Sequence, residues 1–228
     1  MGSVLTAGQS YIAGRWVTGD REMTVENPAD ETTAGSVTVT PLAEVETAIT
    51  EARRSFAEGS WADLPVAERA RIVHAFLDHL ESMTEELVPV IIAEAGQPFG
   101  YASGIQTAGA IELGRNTIDL YLSMHHEESN PVPSSELVTN RVALSLRRYE
   151  PVGVVTAITP YNAALLMAVQ KLVPALMAGN SVIVRPSPFT PISSLALGAA
   201  ADAAGLPAGV LSIVVEDGAA GAELLTTH

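Results

Sequence analysis

Two short stretches place polar and cationic side chains where a bound molecule would meet them. Thr159-Pro160-Tyr161-Asn162 ends the apolar run Val152 to Thr159, and Arg185-Pro186-Ser187-Pro188 follows the apolar run Ser181 to Val184. Between them, Ala163 to Met177 reads as a helix closed by Gly179. Strand, turn, helix, strand is a βαβ unit, which leaves ligand groups at the carboxyl ends of its parallel strands. A guanidinium there can hydrogen-bond a ribose or pair with a 2′-phosphate, so Arg185, with Ser187 beside it, is a candidate nucleotide contact. The plainer alternative for Arg185 is an ion pair with a nearby acid. Asn162, read from its place alone, is the N-cap of the helix.

Several elements must position those residues. Val152 to Thr159 is too short for a buried helix and rich in β-branched residues, which predicts an inner parallel strand covered on both faces. Upstream, Tyr11 to Val17 reads as a hairpin turning at Ala13-Gly14, and Thr33 to Val39 as a further strand. Thr40-Pro41 caps a helix, with proline at its first position and Val45, Ile49, Ala52 and Phe56 on one face. A second helix follows Leu64-Pro65 with the stripe Val66, Ala70, Val73, Leu77 and Leu80. Thr84 caps a third that runs to Gly96, where Pro89 predicts a kink or a later start. A fourth spans about Tyr101 to His126, and Gly104, Gly109 and Gly114 within it predict close packing.

Glu127 to Ser135 turns polar and proline-bearing, which marks a boundary. Leu137 to Arg148 reads as one or two exposed strands, with Val142, Leu144 and Leu146 alternating, whose open edges need a partner. After the βαβ unit, Thr190-Pro191 opens a helix that ends at Gly205-Leu206-Pro207. Val210 to Val215 forms a third strand and Asp217 caps a last helix. The fold class expected is α/β.

Composition excludes several functions. Against 26 acidic side chains stand 12 basic ones in 228 residues, a net charge of −14 that repels a polyanion, so no nucleic-acid partner is expected. No cysteine is present, which excludes a disulfide, a thiolate metal site and a cysteine nucleophile from these residues. His74 and His79 are five apart and His125-His126 adjacent, neither the spacing of a helical zinc pair; no metal is expected, and the last two complement a helix C-terminus. No apolar run reaches membrane-spanning length and no export signal is evident, so no membrane partner and a cytoplasmic location are expected.

The run PVGVVTAITPYNAALL…KLVPALMAGNSVIVRPSPFTP resembles the aldehyde dehydrogenase superfamily, whose text reads P-x-G-V-V…P-W-N-F-P…K-P-S-E-x-T-P. The resemblance continues through Ala204 to Leu211 and backwards to Glu94 to Pro98 and Asn27-Pro28-Ala29. It identifies nearly the whole chain with the N-terminal, NAD(P)-binding half of that family. The architecture it implies is a Rossmann-like parallel sheet with flanking helices, interrupted by a small β bridging or oligomerisation element. The corresponding divisions are 1–127, the first part of the cofactor domain; 128–148, the bridging strands; and 149–228, the nucleotide-binding core.

The resemblance also implies roles. Ile158, Thr159, Pro160 and Tyr161 line the nicotinamide side, and Asn162 donates its amide to the oxyanion of a thiohemiacetal, a contact whose loss costs roughly 3–4 kcal/mol of barrier. Arg185, Ser187 and Pro188 stand where Lys-Pro-Ser-Glu usually holds the adenosine ribose. Pro188 removes both a hydroxyl acceptor and a carboxylate that would repel a 2′-phosphate, so the expectation is that NADP is tolerated, or even preferred over NAD. Gly218 and Gly221 match glycines at the adenine edge, across Glu216 and a one-residue deletion. Tyr161 replaces Trp, and Ala163-Ala164 replaces Phe-Pro, which either widens the substrate path or is refilled by core.

The implied activity is oxidation of an aldehyde to a carboxylic acid, and it needs a cysteine thiolate and an F-T-G-S loop. Neither is present. The chain therefore reads as the first half of a longer protein, inactive alone and homo-oligomeric in full length. Three strands of a larger sheet then leave Val152 to Thr159 with an open edge. The alternative is a non-catalytic cofactor-binding or assembly module.

Overall fold

The computed structural model describes residues 4–130 and 145–227. A short helix, α1 (Val4–Ala7), leads into a hairpin of β1 (Ser10–Ile12) and β2 (Arg15–Val17). Its two turn residues, Ala13 and Gly14, have φ of 48° and 85°, the paired positive angles that let a two-residue turn match the strand twist. β3 (Arg21–Glu26) and β4 (Thr33–Val39) form a separate antiparallel pair. Helices α2 (Leu42–Ala57), α3 (Val66–Ser82) and α4 (Thr84–Ala95) follow. The single turn α5 (Phe99–Tyr101) runs through a π-helical stretch, Ala102–Gly109, into α6 (Ala110–Ser123). β5 (Glu127–Ser129) pairs antiparallel with β6 (Leu146–Arg148). Next come β7 (Val154–Ile158), α7 (Ala164–Met177) and β8 (Ser181–Arg185). A 3-10 turn at Ser193–Leu195, α8 (Ala196–Ala204), β9 (Leu211–Ile213) and α9 (Ala219–Thr227) complete the chain.

The main sheet has the order β2-β1-β9-β8-β7. β7, β8 and β9 are parallel, and β1 runs antiparallel to both β9 and β2. The expected parallel sheet is thus a mixed one, extended by the N-terminal hairpin. Strand alternation sorts its side chains into two layers. Val182, Val184, Leu211 and Ile213 face a core shared with α3, α7 and α8, whereas Ile12, Ile183 and Val214 face α2 and Leu225 of α9.

Three expectations about strands and caps are corrected. β7 is an edge strand among the described residues, with Ala157 its only buried member and Val152 83% exposed just before it. The inner strand is β8, buried from Ser181 to Val184. Both runs are apolar and β-branched, and what separates them is a neighbour that neither run encodes; the open edge expected for Val152 to Thr159 is present. Pro41 is the residue before α2 rather than its first, and Thr40 does not cap it. The Thr40 hydroxyl shares a 2.6 Å bond with Ser10 and accepts from the Val215 N–H at 2.9 Å, joining β1 to the end of β9. Thr84 opens α4 but donates back to the Glu81 carbonyl at 2.6 Å, and the helix holds Pro89 inside without a later start.

The fourth helix ends at Ser123, and the His126 ring packs on Tyr121, centroids 4.4 Å apart, rather than on helix carbonyls. Of its glycines, Gly114 is closely packed, since a Cβ there would meet the Leu77 methyls at 2.9 Å, whereas Gly104 faces open space. Asp217 is taken up by a two-pronged bond from Arg21 at 2.7 and 2.8 Å instead of capping α9. Val142 and Leu144 lie outside the described residues. Arg147 and Arg148 face Glu128 and Glu127 across β5 and β6 at 3.6 and 3.7 Å, exposed cross-strand pairs worth little energy.

The carboxyl end of α7 is held by residues far away in sequence. Trp61 donates its indole N–H to the Leu176 carbonyl at 2.8 Å. Buried Arg69 donates to the carbonyls of Met177 at 3.1 Å, Ala62 at 2.9 Å and Leu64 at 2.7 Å. Helix-end carbonyls need such donors, and a cation at a helix C-terminus also suits the dipole. Arg69→Met keeps the apolar stem and strands those carbonyls; denaturant titration should show a loss of about 2–4 kcal/mol.

Candidate functional site

The ends of β7 and β8 lie side by side, Ile158 opposite Arg185, and the Thr159 N–H donates to the Arg185 carbonyl at 3.1 Å. The loops beyond are joined again where the Thr190 hydroxyl donates to the Tyr161 carbonyl at 3.2 Å. The Tyr161 and Phe189 rings, 60% and 70% exposed, meet edge to face with centroids 6.0 Å apart.

Asn162 does not cap α7. Ala163 occupies the cap position with no side-chain bond, and the Asn162 carboxamide is exposed and makes no hydrogen bond among the described residues. The backbone of the same residue is held firmly. Its carbonyl accepts from Gln97 Nε2 at 2.8 Å and from Gln106 Nε2 at 3.3 Å. Gln106, only 1% exposed, also donates to Gln97 Oε1 at 2.9 Å and accepts from the Leu166 N–H at 3.4 Å. Leu166 is the third residue of α7, so Gln106 supplies the acceptor that an N-cap side chain normally would.

The loop after β8 is held in the same manner. Glu94, buried in the last turn of α4, accepts from the N–H groups of Ile192 at 2.8 Å and Ser193 at 3.1 Å. Burial pushes its carboxyl up to about 7, against the opposing pull of those donors. Gly96 then turns the chain at φ 61°, where a Cβ would come within 2.7 Å of Pro28. Glu94 to Pro98 was legible as a motif without a role, and Gln106 was missed. The π-helical stretch aims it inward, and two glycines five apart were the available signal: a Cβ at Gly109 would sit 3.0 Å from the Gly104 carbonyl.

Arg185 meets an acid. Its Nε donates to Oε1 of Glu216, which lies just past β9 and is 4% exposed. The other Glu216 oxygen accepts from the Gly218 N–H at 3.3 Å, and Gly221 leaves it room, since a Cβ there would sit 2.7 Å from that oxygen. Ser187 is committed to its own loop, its hydroxyl accepting from the Phe189 N–H at 3.3 Å. Tyr161 and Pro188 line one cleft, of about 740 Å³, together with Glu94 and Phe189. Gly218 and Gly221 line another, of about 260 Å³, with Thr40 and Glu216. Ile158 and Pro160 are exposed beside the open edge, and Thr159 is buried with its hydroxyl unpartnered. Among the described residues no group of His, Asp or Glu is arranged to hold a metal ion, and no helix is long and apolar enough to cross a membrane.

Residues 16–228 match the aldehyde dehydrogenase family. The chain is 33% identical over 233 residues to the phenylacetaldehyde dehydrogenase of Pseudomonas fluorescens, an alignment covering 96% of this chain and 44% of that protein. Among solved structures it superposes on the indole-3-acetaldehyde dehydrogenase of P. syringae, in complex with NAD+ and IAA. The TM-score is 0.88 at 29% identity, covering 98% of this chain and 44% of that one. A second match is the NADP-dependent glyceraldehyde-3-phosphate dehydrogenase of Bacillus halodurans, complexed with NADP. There the TM-score is 0.87 at 26% identity, covering 97% of this chain and 46% of that one. The α/β architecture and mixed sheet with its parallel core β7-β8-β9 are those of this family's Rossmann-like domain. The chain belongs to the aldehyde dehydrogenase family, and it spans less than half the length of these relatives.

The residues at the strand ends fit a dinucleotide on their own chemistry. The Thr159 hydroxyl is a buried polar group without a partner among the described residues, Gly218 has open space where a Cβ would be, and Arg185 with Glu216 offers donors and acceptors together.

Glu94 yields a pH prediction. Between about pH 4.5 and about pH 7 the folded chain holds a proton that the unfolded chain has released, so stability falls as pH rises through that window. The fall is on the order of 3 kcal/mol and is complete above the folded value. Glu94→Gln cannot titrate, and denaturant midpoints measured on either side of the window should differ less for it than for the wild type.

Proposed function

We propose that the protein to which these residues belong catalyses NAD(P)-dependent oxidation of an aldehyde to a carboxylic acid. In this reading the chain supplies the cofactor-binding half and the oxyanion donor. The observation that carries the reading is the state of Asn162: a carboxamide free of bonds among the described residues, on a backbone carbonyl held by the side-chain amides of Gln97 and buried Gln106. A donor that stabilises developing charge acts best when its frame is already rigid and its N–H groups are uncommitted. Asn162 at the head of α7 meets both conditions.

The remaining roles are those that the family resemblance implies. Ile158, Thr159, Pro160 and Tyr161 border the reacting end of the cofactor, and Arg185, Ser187, Pro188, Gly218 and Gly221 border its adenosine end. Held by these residues, a nicotinamide dinucleotide would supply the hydride acceptor for oxidation at the aldehyde carbon. Asn162 holds the substrate oxygen while that carbon is tetrahedral. The thiolate that attacks the carbon comes from outside these residues, which contain no cysteine, so the 228 residues by themselves are inactive. Residues 1–127 and 149–228 form the cofactor unit. Residues 128–148, of which 131–144 lie outside the described residues, are assigned to bridging and association with another subunit, a reading supported by the fully exposed ladder of β5 and β6. The open apolar edge at β7 is covered in the assembled, homo-oligomeric protein.

A second reading, a cofactor-binding or assembly module with no chemistry of its own, is favoured by one fact, the missing thiol. Assay of the whole protein separates the two: aldehyde-dependent reduction of NAD or NADP supports the dehydrogenase, and its absence in a preparation that binds dinucleotide supports the module. Asn162→Ala in the active protein should lower turnover roughly a hundredfold to a thousandfold while leaving dinucleotide affinity unchanged. An equal loss in affinity would return Asn162 to a structural role.

A further inference from the structure

This inference rests on the dinucleotide reading above and concerns which dinucleotide is taken. At the carboxyl ends of parallel strands, an acidic side chain that accepts from the ribose 2′-hydroxyl favours NAD, and an uncommitted arginine accommodates the 2′-phosphate of NADP. The loop after β8 contains Arg185 and no acid, and from that loop alone NADP is expected to be tolerated. The fold changes the electrostatics. It brings Glu216, 31 residues further on, against the Arg185 guanidinium, and buries the carboxylate almost completely.

The surroundings strengthen the effect. The cleft beside Glu216 also presents Asp20, Arg21 and Asp217, and Arg21 is already paired with Asp217 at 2.7 Å. Both guanidinium groups near the strand ends are therefore matched by carboxylates, with Asp20 leaving one negative charge in excess. A phosphate dianion placed here would either displace Glu216 from Arg185 or sit beside an excess of negative charge. A ribose hydroxyl meets the opposite situation: it donates a hydrogen bond to a carboxylate that still has lone pairs to spare. The space is built for the acid as well, since Gly221 admits the Glu216 carboxylate where any Cβ would meet it at 2.7 Å.

We infer that Glu216 is a specificity-determining residue for the cofactor, accepting the 2′-hydroxyl of an unphosphorylated ribose and repelling a 2′-phosphate, so that NAD is preferred over NADP. The test is calorimetric titration of this protein with NAD and with NADP, without substrate or turnover. The wild type should bind NAD at least about tenfold more tightly, the equivalent of one charge-sized interaction. Glu216→Gln, which keeps an acceptor for Arg185 but drops the charge, should bring the two affinities within about threefold or reverse them. Glu216→Asp, which keeps the charge, should retain a preference for NAD. Each ratio comes from one preparation, so partial unfolding of a variant lowers both affinities and leaves the ratio readable. Equal affinity in the wild type, or a Glu216→Gln ratio unchanged from the wild type, overturns the inference and leaves the cofactor reading intact. A wild type that binds neither dinucleotide overturns both.

Discussion

The site depends on acceptors and donors delivered to two loops from the far end of one helix. Glu94 and Gln97 flank Gly96, whose left-handed backbone turns the chain in a space too tight for a side chain. Glu94 takes the N–H groups at the start of the turn before α8, and Gln97 holds the carbonyl of Asn162. Gln106, from the adjoining π-helical stretch, reaches the third N–H of α7. Every helix leaves N–H groups at its start that need acceptors, and nearby side chains usually supply them. Here the acceptors come from 60 and 98 residues away in sequence. The loop side chains are consequently released from capping, which is what a binding site requires of them. The arrangement costs the burial of a carboxyl group, visible in the upward displacement of Glu94.

The sheet gives those loops a stable base. Its two-layer packing follows from alternation in β8 and β9, and the long-range polar ties join its margins: Ser10 to Thr40, Thr40 to Val215, and the Tyr11 hydroxyl and Trp16 indole to Asp202 at 2.5 and 3.1 Å. With Trp61 and Arg69 at one end of α7 and Gln97 and Gln106 at the other, the helix is fixed at both termini by side chains outside it.

Elements with strong local signals were legible from the residues. The Ala13-Gly14 hairpin, the strand Thr33–Val39, the apolar stripes of α2 and α3 and the glycine stops at Gly96 and Gly205 all lie where periodicity and turn chemistry put them. The position of the candidate site at the ends of β7 and β8 was legible too, because a βαβ unit can leave ligand groups nowhere else. Less accessible were the choices between equivalent partners. Thr40, Thr84, Asp217 and Asn162 all have the residue types of caps, yet each hydroxyl or carboxylate of the first three is bonded elsewhere and the last is free.

The sequence by itself determined the family, the α/β class, the chemistry available at two strand ends and the lack of a thiol among these residues. Only the tertiary structure decided which strand is inner and which is the edge, that Gln106 does the capping expected of Asn162, and that Arg185 is answered by Glu216. The physical reason is one of range. Periodicity, propensity and turn geometry are set by residues within a few positions of one another, whereas burial and pairing of polar groups are set by whichever segment folding brings alongside. Arg185 ends β8 and Glu216 follows the parallel neighbour β9, and nothing local to either loop records that the two charges meet.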